Sequence, residues 1–292
     1  MTKKGYEKKY EKGRHKMNTP KDLVMIKLKE AQSKASFPVW RILLLGIMAG
    51  AFIAIGASSS NLAVHTISNP GLAKTLAGCI FPVGLMMIVL IGGELFTGDC
   101  MIIFGCFDRR ITAFSLVKVL VLVWISNMIG ALILVGLVYA SGQWDMSAGV
   151  LGAYTIKVAL GKVTLSFGKA LASGILCNII VCIAVLFAGA ARDVTGKLLG
   201  CFFPILAFVV GGYEHCVANM YYISAGMIAL TNETYKQAAI DTYGFSVKQL
   251  NSLDLQGFLI SNLIPVTIGN IIGGMVFVAL PLYLLHKRDI SE

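Results

Sequence analysis

Hydrophobic residues along this chain gather into six long runs, at about 37–57, 76–107, 111–140, 170–191, 198–230 and 258–285. One helical crossing of a bilayer takes roughly 20 residues, so each run is long enough to span. The second and fifth are much longer than a crossing needs, and each contains a polar, glycine-rich break. These are "GGELFTGD" at 92–99 and "GGYEHCVAN" at 211–219. The pattern predicts an all-α membrane protein of six helices, with the second and fifth interrupted as paired half-helices that meet inside the membrane.

The two halves resemble each other. "FPVGLMMIVLIGGELFTG" (81–98) parallels "FPILAFVVGGYEHCVAN" (203–219), and "SNMIGALILVGLVYA" (126–140) parallels "GNIIGGMVFVALPLY" (269–283), with Asn127 matching Asn270. Three spans per repeat is an odd number, so the second repeat is inverted relative to the first. Inverted repeats with interrupted helices place a transport pathway at the repeat interface, near mid-bilayer. The organisation expected is a basic segment at 1–36, a transport domain at 37–286 with repeats at about 37–140 and 168–286, and a tail at 287–292.

Composition agrees with lipid as the solvent. The chain is 57% hydrophobic and 14% charged, where a soluble domain carries roughly 25% charged residues. The net charge of +10 comes largely from the first 34 residues, a segment too polar for a signal peptide. Ahead of a span, such a basic stretch faces the cytoplasmic leaflet rather than nucleic acid. "FDRR" (107–110), "ARDVTGK" (191–197) and "HKRDISE" (286–292) fall on the same side, which puts both termini in the cytoplasm. Lys157 and Lys162, read as part of an outer loop, defy this rule. The seven cysteines show no metal-ligand or redox spacing, so they read as buried free thiols, with no metal and no cofactor expected.

The breaks hold the candidate chemistry. Non-helical backbone at membrane depth persists only when buried in protein or lining a cavity. Half-helices starting near Thr97 and Cys216 would aim their N-termini at mid-membrane and favour an anion there. An ionisable residue inside a span is a functional candidate, and His215 is the one histidine in a break. Glu94 and Glu214 occupy comparable places, and a buried carboxylate needs a cation. Symmetry nominates Lys34 for Glu94 and Lys162 for Glu214.

At these residues the chain resembles the formate/nitrite transporter family, over about residues 30–287. The blocks that carry the likeness are "GGELFTGD", "GYEHCVANM", "GILCNIIVCIAV" (174–185) and "NLIPVTIGNIIGGMVFVALPLY" (262–283). The resemblance implies an aquaporin-like six-helix protomer, a homopentamer with one pore per protomer, and transport of small weak-acid anions such as formate, nitrite or hydrosulfide. It further implies an aromatic constriction at Phe81 and Phe208, and a gate at the first break from Leu85, Leu95, Phe96 and Thr97. His215 would lie between the constrictions as a proton relay, with Thr97 and Asn178 as neighbours. On this reading Phe81 and Phe208 stand on opposite sides of His215. The implied setting is the cell membrane.

Rival functions fit less well. A water or glycerol facilitator presents paired Asn-Pro-Ala loops, and the only "NP" is Asn69-Pro70 in an outer loop. A membrane enzyme built on His215 and Glu214 lacks a nucleophile motif, metal-ligand pair or cofactor fingerprint.

Overall fold

The structure is a computed structural model that describes residues 17–291, with side chains through Lys287. The first sixteen residues of the basic segment and Glu292 of the tail lie outside the described residues. Every described element is a helix. Among the described residues, six helices are long and apolar enough to cross a membrane: Val39–Val64, Pro70–Ile91, Ala113–Ala140, Phe167–Ala190, Val194–Gly211 and Gly257–Lys287. Two shorter apolar helices, Phe96–Phe107 and Cys216–Leu230, complete the second and fifth spans after their breaks. This is the interrupted six-helix plan that the runs predict, and the aquaporin-like one that the resemblance implies.

Local chemistry sets the ends. The second span starts at Pro70, earlier than its apolar run, because Asn69 Oδ1 accepts from the Leu72 N–H at 3.0 Å. Proline tolerates the first helical position because its missing N–H would be unbonded there anyway. The sixth span is not uniformly α-helical: Gly257–Leu263 and Gly273–Ala279 are wide π-turns. The second of these carries Gly274 past Asn178 and Cys100, where a Cβ would lie 2.6 Å and 2.8 Å from their side chains.

Two helices differ from expectation. Helix α1 (Pro20–Ala35) belongs to the supposed cytoplasmic segment. Thr19 and Asp22 cap it reciprocally, and the bonds from Thr19 hold the Asp22 carboxyl below its usual range. Its face Val24, Leu28 and Ala31 is buried. Val24 and Leu28 pack with Phe104, Leu186 and Tyr283. A polar average conceals this helix, because only one narrow stripe of it is apolar. Helix α2 (Val150–Val163) occupies what was expected to be an outer loop. At 14 residues it is too short to read as a span, yet eight of its residues are buried. The two are counterparts: Lys34 precedes Val39, and Lys162 precedes Phe167, by the same five positions. α1 and α2 thus stand at corresponding places ahead of the first and fourth spans.

Glycine contacts pack each half in an equivalent way. A Cβ on Gly130 would lie 2.0 Å from the Ile47 carbonyl oxygen, and one on Gly273 would lie 2.4 Å from that of Ile175. Small residues let membrane helices approach this closely. Gly130→Ala should therefore force the first and third spans apart, costing about 1–3 kcal/mol. The melting temperature of the detergent-purified protein should fall, while Gly161→Ala, which has nothing within 4 Å, should leave it unchanged.

Candidate functional site

Each break begins where a glycine leaves right-handed space. Gly92 has φ 105° and ends the helix Val83–Ile91, and Gly212 has φ 67° and ends Val194–Gly211. The chain then runs extended through Leu95 and His215 before the second half-helix starts. Glycine takes such positive φ without steric cost.

Two asparagines hold the exposed backbone. Asn127 Nδ2 donates to the carbonyls of Gly46 and Glu94, each at 2.8 Å, and its Oδ1 accepts from the Phe96 N–H at 3.0 Å. Asn270 repeats the pattern in the other half. Its Nδ2 donates to Gly174 (2.8 Å) and Glu214 (3.0 Å), and its Oδ1 accepts from the Cys216 N–H at 2.9 Å. These side chains supply what water cannot supply at that depth. Their match in register is visible in the sequence, but their partners are not, because those come from other helices.

The break glutamates face lysines. Lys34 Nζ is 2.5 Å from Glu94 Oε2, and Lys162 Nζ is 3.0 Å from Glu214 Oε1. Lys162 points inward from α2, and Lys157 lies 4.4 Å over the Tyr243 ring. Neither is a free loop charge, which accounts for their conflict with the charge rule. Lys34 also reaches Asp99 Oδ1 at 2.5 Å. Asp99 is a member of the site that sequence reasoning passed over, although it closes the "GGELFTGD" block. Glu214 has Asn219 as a neutral neighbour instead, with Nδ2 2.6 Å from Oε2.

His215 is the N-cap of Cys216–Leu230 and is 3% exposed. Its Nδ1 accepts from the Ala218 N–H at 3.1 Å. An accepting Nδ1 carries no proton, so in the neutral ring the hydrogen sits on Nε2. Nε2 lies 2.9 Å from Thr97 Oγ1. The hydroxyl accepts there and keeps its own O–H for another partner. Thr97 thus joins the two breaks across the repeat interface.

Phe81 and Phe208 meet each other, with ring centroids 5.7 Å apart in an edge-to-face contact, and Phe208 lies 6.0 Å from the His215 ring. This corrects the expectation that they stand on opposite sides of His215. Both belong to one aromatic plug, because the helices Pro70–Ile91 and Val194–Gly211 pack side by side. Leu85 and Leu95 are also buried, but they line the cavity beside α1. Phe96 and Thr97 follow Leu95 at this break, and both side chains are buried. Asn178 differs too. Its Nδ2 donates to the carbonyls of Thr97 (3.1 Å) and Asn270 (2.6 Å), so it ties the first break to the sixth span, and its hydrogen bonds do not include the His215 ring.

Two cavities, or vestibules, lie beside these side chains. The larger, about 830 Å³, lies by α1 and is lined by Lys34, Arg41, Leu85, Glu94, Leu95 and Asp99 among others. The smaller, about 160 Å³, is lined by Ser60, Asn61, Phe81, Lys162, Phe208 and His215 among others. The arrangement sets one lysine in each vestibule, Lys34 and Lys162, and the polar pair His215–Thr97 at the junction of the two breaks. Among the described residues no cluster of His, Cys, Asp or Glu is fit to hold a metal.

Comparison with known proteins agrees with this geometry. The family described as "Formate/nitrite transporter" matches residues 21–284. A probable formate transporter of Methanothermobacter thermautotrophicus is 36% identical over 277 residues, covering 89% of this chain and 93% of the relative. The formate channel FocA of Escherichia coli (strain K12) is 34% identical over 247 residues, covering 84% and 86%. A solved structure described as a pentameric formate channel with formate bound superposes with a TM-score of 0.75 at 32% identity, covering 85% of this chain and 98% of that one. The chain is an integral membrane protein that belongs to the formate/nitrite transporter family.

Proposed function

We propose that this protein moves small monovalent weak-acid anions of the formate class across the cell membrane, and that the anion crosses as the neutral acid formed beside His215. The observation that carries this reading is the single His215–Thr97 pair set between the Phe81–Phe208 plug and the Leu85–Leu95 barrier. Formate is named first because the relatives above are named for it. Nitrite and hydrosulfide have the same charge and similar size, and the reading includes them.

Moving a bare anion through an apolar ring costs several kcal/mol of hydration. A neutral acid avoids most of that cost. The anion enters a vestibule toward Lys34 or Lys162 and accepts a hydrogen bond from the free Thr97 O–H, which the His215 Nε2–H supports from behind. A proton from vestibule water then follows the anion's charge, either onto the anion directly or onto His215 and from there to the anion. The ring ends neutral, and one proton travels with each anion. Transfer through the ring requires Nδ1 to release the Ala218 N–H for a moment, which keeps the imidazolium short-lived.

The assembly proposed is a homopentamer with one pore per protomer, extended from the solved relative described as pentameric. Both ends of the described chain lie at one face, since α1 packs beside Tyr283. The basic loops on that face support a cytoplasmic orientation. No chemical turnover is part of the reading.

Reconstituted protein should take up formate, and the aromatic plug should be what excludes ions. Phe81→Ala or Phe208→Ala should raise chloride leak while formate still passes. Chloride flux and formate flux measured in the same vesicles test this. Unchanged ion exclusion in both variants would make the rings packing residues only.

A further inference from the structure

The first break carries one carboxylate more than its counterpart. Five residues after its glutamate the first half has Asp99, where the second has Asn219. Lys162 and Glu214 balance each other, and Asn219 adds an uncharged donor. In the first half one ammonium stands between two carboxylates, 2.5 Å from each. Glu94 and Asp99 are 5% and 2% exposed. Asp99 Oδ2 has no hydrogen-bond donor among the described residues, and Glu94 Oε2 has only the ion pair with Lys34, without hydrogen-bond geometry.

Fully ionised, this triad would bury a net negative charge, with carboxylate oxygens within about 5 Å of each other. Two carboxylates sharing one site repel, and retaining one proton relieves the repulsion. Surrounding groups do not supply a second countercharge. Lys27 is paired with Glu30 at 2.7 Å on α1. Arg41 of the first span lies 3.9 Å over the Phe37 ring. Arg192, across the vestibule, donates to Asn18. Lys197 lines the same vestibule, and the nearby thiols of Cys100 and Cys182 donate to backbone carbonyls. Among the described residues, Lys34 is the cation in ion-pair contact with either carboxylate.

We propose that Glu94 and Asp99 together bind one proton, making the Lys34 triad a neutral proton-holding site in the larger vestibule. A hydronium ion in the vestibule gives its proton to a carboxylate oxygen and leaves as water; no other bond changes. The new O–H is the donor that the partnerless oxygens lack. Loaded, the triad presents no excess negative charge to an arriving anion. Unloaded, it repels the anion. This effect on flux rests on the transport reading above, whereas the bound proton does not.

Infrared difference spectroscopy on the lipid-reconstituted protein reads the C=O stretch of a protonated carboxyl, which a carboxylate lacks. At neutral pH the wild type should show one such band. Asp99→Asn and Glu94→Gln should each abolish it, since the remaining carboxylate pairs with Lys34, and Glu214→Gln should retain it. Asn219→Asp should add a second band by recreating the triad in the other half. If a variant fails to fold, titration of the wild-type band alone decides, because the band must persist at neutral pH. No carboxyl band in the folded wild type, a band that survives both substitutions, or one displaced by Na⁺ at constant pH would overturn the proposal. Formate flux in the same vesicles keeps the two readings apart. A band without any formate flux would sink the transport reading and leave the proton site standing.

Discussion

Formate uptake through the His215→Phe protein falls by on the order of a hundredfold, corresponding to about 3 kcal/mol lost from the barrier-crossing step. Phenylalanine removes the Nε2–H that braces Thr97 Oγ1, leaving the anion one weakly supported hydroxyl between two apolar barriers. It also removes the acceptor for the Ala218 N–H, and an orphaned buried donor costs about 1–3 kcal/mol. Phenylalanine therefore changes the half-helix cap as well as the proton chemistry. Asparagine separates them, because its side-chain oxygen is among the best N-caps yet it exchanges no proton. His215→Asn should melt close to the wild type and elute at the same size. Its formate uptake should be strongly reduced and should lose its rise at low external pH. Unchanged rate and pH dependence in that variant would reduce His215 to a structural cap.

Asn270→Ala should be the most damaging single change to the fold. The asparagine makes three buried hydrogen bonds, two to the second break at Glu214 and Cys216 and one to the Gly174 carbonyl of the fourth span. Each group left unpaired in a dry interior costs about 1–3 kcal/mol, and the sum approaches the whole stability of many domains. The variant should therefore yield little monodisperse protein on size-exclusion chromatography. Asn127→Ala should behave alike, since its three bonds are equivalent. An Asn270→Ala protein of wild-type yield and melting temperature would show that the break holds its shape without the clamp.

Much of this was legible in the order of residues. Lipid imposes long apolar runs, so six spans and two breaks stand out, and the matched blocks reveal the repeat. The symmetry that nominated Lys34 for Glu94 and Lys162 for Glu214 reflects chain geometry, because each lysine precedes its span by the same interval. What escaped was what hydropathy averages away. α1 is polar on most faces, α2 is too short to span, and the wide π-turns of the last helix have no compositional mark. Asp99 was hidden by its place at the end of a motif already explained by its glutamate. The placement of Phe81 beside Phe208 depends on how two helices rotate against each other. No one-dimensional pattern records that rotation.

The most direct test of the account is the charge carried per formate. Proteoliposomes with the membrane potential clamped by K⁺ and valinomycin, and with an internal pH dye, report the anion and its proton together. One proton should enter with each formate, and the rate should be the same at positive, zero and negative potential, above the background of protein-free liposomes. Formate entry that follows the potential as a single negative charge and leaves the internal pH unchanged would contradict passage as the neutral acid.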